Sequence, residues 1–284
     1  QIKHVSEGSS FILSGSHMAQ IKKTSTDVGS GSNTMGTKTD SYTKDAIIII
    51  EHADNCHSYY VTIENLYIYH TVTATTSYGI FAPRLSHCTF SNIRIWYCTY
   101  GFVTHDAWMC KLDKVQAHGK EINDDSYGFW WDGSNTDYGV SGTSLFMNNC
   151  WARGVRYGYS LNGLSYSSLN ACGADHIGIY GTSGGIAYWF GTCHGIVLNG
   201  CGAEDITIES LRGVFVFDIT TASMQGCRFY DAQSLTSGEA CSVKISSGSK
   251  LTISGCYFDD ITSNGATIYR FPVVDSTSKC VVST

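Results

Sequence analysis

The chain has 284 residues, a net charge of −6 and only 15% charged side chains. Its length allows a large buried core, and the absence of a basic cluster excludes an electrostatic nucleic-acid surface. No apolar run approaches the roughly 18 residues of a membrane-spanning helix, Ile47–Ile50 being far too short.

The start, Gln1-Ile2-Lys3-His4, has neither an initiator Met nor the pattern of a signal peptide, so the chain reads as a fragment or mature piece. Residues 1–44 are polar and rich in Ser, Thr and Gly, which predicts entry coils and a long loop over 27–45. From residue 45 to residue 270 two phrases alternate. The first is apolar, two spacers, apolar or Cys, one spacer, apolar. It occurs at Ile63/Leu66/Ile68, Phe90/Ile93/Ile95, Leu112/Val115/Ala117, Met147/Cys150/Ala152, Leu169/Cys172/Ala174, Leu198/Cys201/Ala203, Met224/Cys227/Phe229 and Ile253/Cys256/Phe258. A self-similar period of roughly 20–50 residues marks a solenoid, whose stacked repeats share one core.

The second phrase is a glycine followed by alternating apolar residues. It is carried by Tyr78-Gly79-Ile80, Tyr100-Gly101-Phe102, Tyr127-Gly128-Phe129 and Tyr157-Gly158-Tyr159. Further copies begin at Gly185 and Gly213, and Ala240 stands for the glycine in a seventh. Both phrases have the period of two that belongs to strands. Positions +1, +3 and +5 after the glycine should face inward; +2 and +4 should face outward. In the first phrase the alternation breaks at Asn65, Asn92, Asn149, Gly200, Gly226 or Gly255. These residues tolerate left-handed backbone, so a tight bend between two short strands is expected there. No convincing helical stripe occurs, and only Pro83 and Pro272 remove ladder donors.

Twelve cysteines lack any CxxC pair, which argues against zinc. Cys150, Cys172, Cys201, Cys227 and Cys256 fall at one position of the repeat and should form a buried file of small apolar side chains. Unbridged thiols suit synthesis in a reducing cytoplasm. Beyond Thr262 the pattern frays, and 271–284 reads as an extension or partial cap. With neither end an obvious polar cap, missing flanking domains or a homotrimer are expected to protect the open strand edges.

Strands that recur once per coil in one direction make a parallel β-helix. Val61-Thr62-Ile63-Glu64-Asn65-Leu66-Tyr67-Ile68 and Ser91-Asn92-Ile93-Arg94-Ile95 resemble the Asn-ladder turns of the right-handed parallel β-helix of the pectate-lyase superfamily, over about residues 45–270. The resemblance implies an all-β, single-stranded right-handed parallel β-helix of about eight or more coils. It is most like the bacteriophage tailspike depolymerases, which implies a virion tail protein made in the host cytoplasm and acting on a bacterial surface polysaccharide. The superfamily also holds lyases and plain adhesins. Asn135-Thr136-Asp137, Asn123-Asp124-Asp125, Cys193-His194-Gly195 and Val243-Lys244-Ile245 resemble pieces of the polygalacturonase signature, but in the wrong order and spacing, so that assignment is not carried over.

Two seams offer chemistry. The outward positions of the glycine strands include His105, Trp130, Asp132, Asn162 and Trp189, and also Phe215 and Phe217; flat indoles and hydrogen-bonding groups suit a sugar groove. The alternative is that loops cover this face and its aromatics form a second core. The other seam follows the first phrase and holds Asp175, Glu204, Asp205, Asp231, Asp259 and Asp260, with Arg153 and His176 nearby; the bland reading is a row of solvated turn residues. Coils about 4.8 Å apart put equivalent carboxylates in range for glycosidase chemistry. The favoured acid–base couple is Asp106 with Asp132, and Asp175 with Glu204 is the second choice. His105, Trp130, Asn162, Trp189 and Arg153 are the expected sugar-binding residues; no metal or cofactor is expected. Hydrolysis is the leading reading. Glycan binding without catalysis, or lyase chemistry using Arg153, Arg156, Lys244 or His194, are the alternatives.

Overall fold

The computed structural model describes residues 2–4, 11–23, 29–35, 38–52, 57–71, 76–120, 125–133, 142–179, 183–209, 212–234, 239–259, 261–262, 267–269 and 272–283. Asn135, Thr136, Asp137, Asp124, Asp260 and the side chain of Asp132 lie outside the described residues. The described residues contain strands, turns and bends, and no helix. The fold is an all-β parallel β-helix. An 11-stranded sheet collects the glycine strands, and a 21-stranded sheet collects the first phrase and its flanking segments. Every pairing within both sheets is parallel; the antiparallel pair is the hairpin Gly29–Met35 with Lys38–Lys44.

All eight copies of the first phrase fall in register. Ile63 pairs with Phe90, Phe90 with Leu112, Leu112 with Met147, Met147 with Leu169, Leu169 with Leu198, Leu198 with Met224 and Met224 with Ile253. The expected bend is present in all eight copies. Asn65, Asn92, Asn149, Gly200, Gly226 and Gly255 have φ between 50° and 60°, and Lys114 (55°) and Ala171 (49°) complete the column. The left-handed turn explains why the phrase has two spacers before its central member, the second of them being the bend residue, and one after it. Asn92 Nδ2 donates to Asn65 Oδ1 at 2.8 Å, joining the first two turns of the column.

The two phrases lock together across the core. A Cβ at Gly101 would lie 2.6 Å from Ala117 Cβ, and one at Gly128 would lie 2.6 Å from Ala152 Cβ. Glycine in one phrase and alanine in the other therefore let the two sheets close on each other. Beside this contact Phe129, Tyr159, Tyr188 and Phe215 stack face to face at 4.7–4.9 Å, one ring per coil. Cys150, Cys172, Cys201 and Cys227 are at most 1% exposed, and Cys256 ends the file half-buried. No disulfide joins the described cysteines. Burial pushes the thiol of Cys193, a neighbour in the same core, up to about 12.

One part of the inward–outward assignment is corrected. Phe215 and Phe217 were expected to face outward, but they stack inward on Tyr188 and Phe190. Ladder register explains the error. Tyr157 pairs with Ile186 and Tyr159 with Tyr188, so Ala187, not Gly185, takes the place of Gly158. In the next coil Phe215 pairs with Tyr188, which puts Val214, not Gly213, in that place.

Candidate functional site

The outward face of the glycine strands is closed along much of its length. Ile49, Phe81, Val103, Trp130, Ser160, Trp189 and Val216 form one outward ladder. Ile49, Phe81, Val103, Ser160 and Val216 are at most 4% exposed. Trp130 is half-buried, stacked 4.9 Å from Tyr127 and 5.5 Å from Tyr100, in a second apolar cluster with Tyr78, Phe81 and Val103. The His105 ring lies edge-on to Phe81 and Trp130. Asn162 and Trp189 are half-buried over Gly191. The alternative of a second core describes this face from Ile49 to Trp130.

Asp106 and Asp132 do not share a ladder. The chain bends at His105, where the backbone N–H groups of His105 and Asp106 both donate to Pro83 O. Asp106 therefore crosses into the larger sheet, opposite Arg84, whereas Asp132 ends a strand of the smaller sheet opposite Asn162. Asp106 is 1% exposed and occupied: Trp108 Nε1 donates to Oδ1 at 3.0 Å, and His57 Nε2 lies 2.9 Å from Oδ2. That couple is not carried forward.

The structure does bring together Arg153, Asp175 and Glu204. They stand on consecutive rungs of one outward ladder that runs Tyr69, Trp96, His118, Arg153, Asp175, Glu204, Tyr230. At about 4.8 Å per rung, Tyr69 and Tyr230 are roughly 29 Å apart. The parallel ladder two residues earlier runs Tyr67, Arg94, Gln116, Trp151, Gly173, Gly202, Arg228 and Tyr257. Side chains project at Trp151 and Arg228, and the two glycines between them leave a notch roughly 14 Å long. This recess of about 230 Å³ is lined by Trp151, Gly173, Gly202, Arg228 and Tyr230, with Asp175 and Glu204 along its side. A second recess of about 320 Å³ shares Trp151 and extends over Trp96, Gln116, His118 and Arg153.

Gly202 of the notch differs from the glycines of the core. A Cβ at Gly202 would meet nothing nearer than Arg228 O at 3.6 Å, an ordinary contact. Folding therefore does not demand glycine at 202; its visible consequence is open space beside Glu204. The notch floor is held from beneath. The hydroxyl of buried Tyr188 lies 2.8 Å from Gly202 O and 2.7 Å from Cys172 O, and that of Tyr159 lies 3.0 Å from Gly173 O and 2.8 Å from Cys150 O. Burial raises both phenols well above the ordinary tyrosine range, so they remain donors. Tyr188→Phe is expected to lower unfolding free energy by about 1–3 kcal/mol, since it strands buried carbonyls; denaturant titration checks this.

At the rim, Arg153 Nη1 donates to Asp175 Oδ2 at 2.5 Å and His176 Nδ1 lies 2.5 Å from Oδ1. His176 Nε2 is 3.1 Å from Asp205 Oδ2, so His176 bridges two carboxylates. Asp175, His176 and Asp205 could offer ligand atoms within 4.8 Å of one another, but Arg153 already brings positive charge to this cluster. Tyr230 donates its hydroxyl to Glu204 Oε2 at 2.8 Å, and this bond raises the phenol's pKa. His176, Asp205 and Asp231 have φ of 52–55°, so the acidic seam is also a left-handed turn column. Of the basic residues that lyase chemistry would recruit, Arg153 alone lies here. Arg156 pairs with Glu209, Lys244 belongs to the smaller sheet, and His194 lies on another segment of the larger one.

Sequence reasoning missed Trp96, Gln116, His118, Trp151, Arg228 and Tyr230 as groove residues. Their signal was available, because they flank the last apolar member of the first phrase and so must point outward.

No family model and no curated protein matches the chain. Solved structures do share its fold. The tailspike of an Acinetobacter phage superposes with a TM-score of 0.72 at 16% identity, over 94% of this chain and 53% of that one. The ORF18 protein of Geobacillus virus E2 gives 0.60 at 14% identity, over 99% and 51%. A GH136 lacto-N-biosidase from Eubacterium ramulus gives 0.51 at 9% identity, over 93% and 56%. The chain thus spans about half the length of the structures it matches, and at these identities what it shares with the two phage proteins and the glycosidase is the parallel β-helix itself.

Proposed function

We propose that this chain is the β-helix of a phage tailspike-like depolymerase, carried on the virion tail. It lays a bacterial surface polysaccharide along the Tyr69–Tyr230 ladder and hydrolyses it at the glycine notch. The carrying observation is the placement of Asp175 and Glu204 on adjacent rungs beside a recess that two glycines hold open between Trp151 and Arg228. Indole faces suit the C–H faces of sugar rings, and the rim groups can bond hydroxyls. Modest affinity per chain is multiplied if the protein acts as a trimer.

In this reading Glu204, exposed and held by Tyr230, is the acid–base group. Asp175, fixed by Arg153 and His176, stabilises the positive charge that develops on the sugar or attacks it. One rung of roughly 5 Å falls with the carboxylate spacing of about 5–5.5 Å used by retaining glycosidases, short of the 6.5–9.5 Å of inverting ones. Digestion of purified capsule or O-antigen should release reducing ends, and proton NMR at early times should show retained anomeric configuration. Inverted product would dismiss the Asp175/Glu204 couple.

A second reading, glycan binding without cleavage, is favoured by the occupancy of the carboxylates. Both oxygens of Asp175 and one of Glu204 already have side-chain partners. Retained binding with no reducing ends from any polysaccharide bound would select it.

A further inference from the structure

We infer that the recess between Trp96 and Trp151 is a subsite for an anionic sugar, a pyranose bearing a carboxylate, and that it fixes the register of the polysaccharide over the notch. This deepens the proposed function and rests on the groove described there. The recess has about 320 Å³, at the lower end of the roughly 300–1,000 Å³ of small-ligand sites. Its two ends are indoles, Trp96 on one outward ladder and Trp151 two rungs further on the neighbouring one.

Between the indoles the polar side chains are Gln116, His118 and Arg153, and no carboxylate lines the recess. In a chain of net charge −6 this is a local reversal. The His118 ring lies 4.3 Å from that of Trp96, and the Arg153 guanidinium lies 6.0 Å from the Trp151 ring. Each aromatic wall thus has a basic group beside it. Arg153 is also held in place, Nη1 on Asp175 and Nη2 3.3 Å from His176. A guanidinium carries five N–H donors, so this clamp orients the group and leaves donors for a ligand.

The next recess along the face is acidic on balance, with the two carboxylates of Asp175 and Glu204 at its side against the single guanidinium of Arg228 at its far end. A sugar carboxylate placed there would meet like charge at short range. An acidic unit is therefore attracted to the Trp96–Trp151 recess and repelled from the notch, and its neutral neighbour is left over Gly173 and Gly202 for cleavage. Charge sorting along one groove would then decide which linkage is cut.

The test uses the whole chain and simple probes. Methyl glycosides of glucuronic, galacturonic and N-acetylneuraminic acid are titrated by ligand-observed NMR against those of glucose, galactose and N-acetylglucosamine. At least one acidic glycoside should bind about tenfold more tightly than every neutral one, as charge-assisted hydrogen bonds imply. That preference should shrink in molar sodium chloride and in His118→Ala. Trp151→Ala should weaken acidic and neutral binding alike; Trp151 is 39% exposed, so its truncation leaves the core intact. Equal binding of both classes, or a preference that persists in the double variant His118→Ala/Arg153→Gln, would overturn the subsite. A neutral polysaccharide cleaved without any acidic preference would remove this inference and leave the hydrolase standing; absence of all sugar binding would remove both.

Discussion

Glu204→Gln should lower polysaccharide cleavage by about 10²–10⁴-fold, the range contributed by a positioned acid–base group, while leaving binding within a few-fold of the parent. Glu204 is the cleaner of the two carboxylates to replace. It is exposed and accepts from the hydroxyl of Tyr230, as the amide oxygen of Gln still can. Asp175→Asn would also disturb Arg153, His176 and, through His176, Asp205. Its effect would mix chemistry with repacking of the rim. Reducing-end release measures cleavage, and intrinsic tryptophan fluorescence, to which Trp151 contributes, measures binding. Unchanged turnover in Glu204→Gln would take this residue out of the reaction.

Two glycines at similar depth in the sequence pattern should respond in opposite ways to valine. Gly128→Val forces side-chain atoms into a position already 2.6 Å from Ala152 Cβ and 2.8 Å from Gly158 O. Neither contact is the mobile end of a long side chain, so the two sheets must separate. Overpacking of this kind costs about 3 kcal/mol or more, a large share of the roughly 5–15 kcal/mol that holds a domain folded. Gly202→Val meets only an ordinary contact with Arg228 O at 3.6 Å, with ordinary backbone and a β-branched residue suited to a strand. Its melting temperature should match the parent within a few degrees. Its methyls would stand in the notch, however, and a misplacement of about 1 Å at a reacting bond can cost 10²-fold. Loss of cleavage at full stability in Gly202→Val, with loss of folding in Gly128→Val, separates a glycine that makes room for ligand from one that makes room for the chain.

The coil was legible in the sequence because it repeats one steric problem. Each first phrase must turn a left-handed corner between Ile63 and Leu66 or their counterparts, and each must lay a small or apolar side chain over the next. The register pairs confirm every copy. Lys114 and Ala171 took the corner without the Asn or Gly that announces it, since ladder bonds on either side over-determine their backbone.

The groove was only partly legible. Asp175, Glu204 and Arg153 emerged from spacing, because equal offsets in a solenoid become adjacent rungs. The glycine-strand face is less open than its pattern suggests, for a physical reason. Alternation tells which way Trp130 points, but not whether Tyr100 and Tyr127 will stack against it. Likewise the distance from Gly101 to Asp106 looked like that from Gly128 to Asp132, yet the bend at His105 sends one aspartate into the other sheet. The openness of a face depends on contacts between distant coils, which a repeat pattern does not encode.

A crystal of the Glu204→Gln variant soaked with an oligosaccharide from the polysaccharide it binds tests the central claim most directly. The account predicts sugar density along the larger sheet from Trp96 past Trp151, with one glycosidic oxygen over Gly202 between Asp175 and residue 204. Density seated instead on the smaller sheet at Trp130 and Trp189, with the notch vacant, would contradict it.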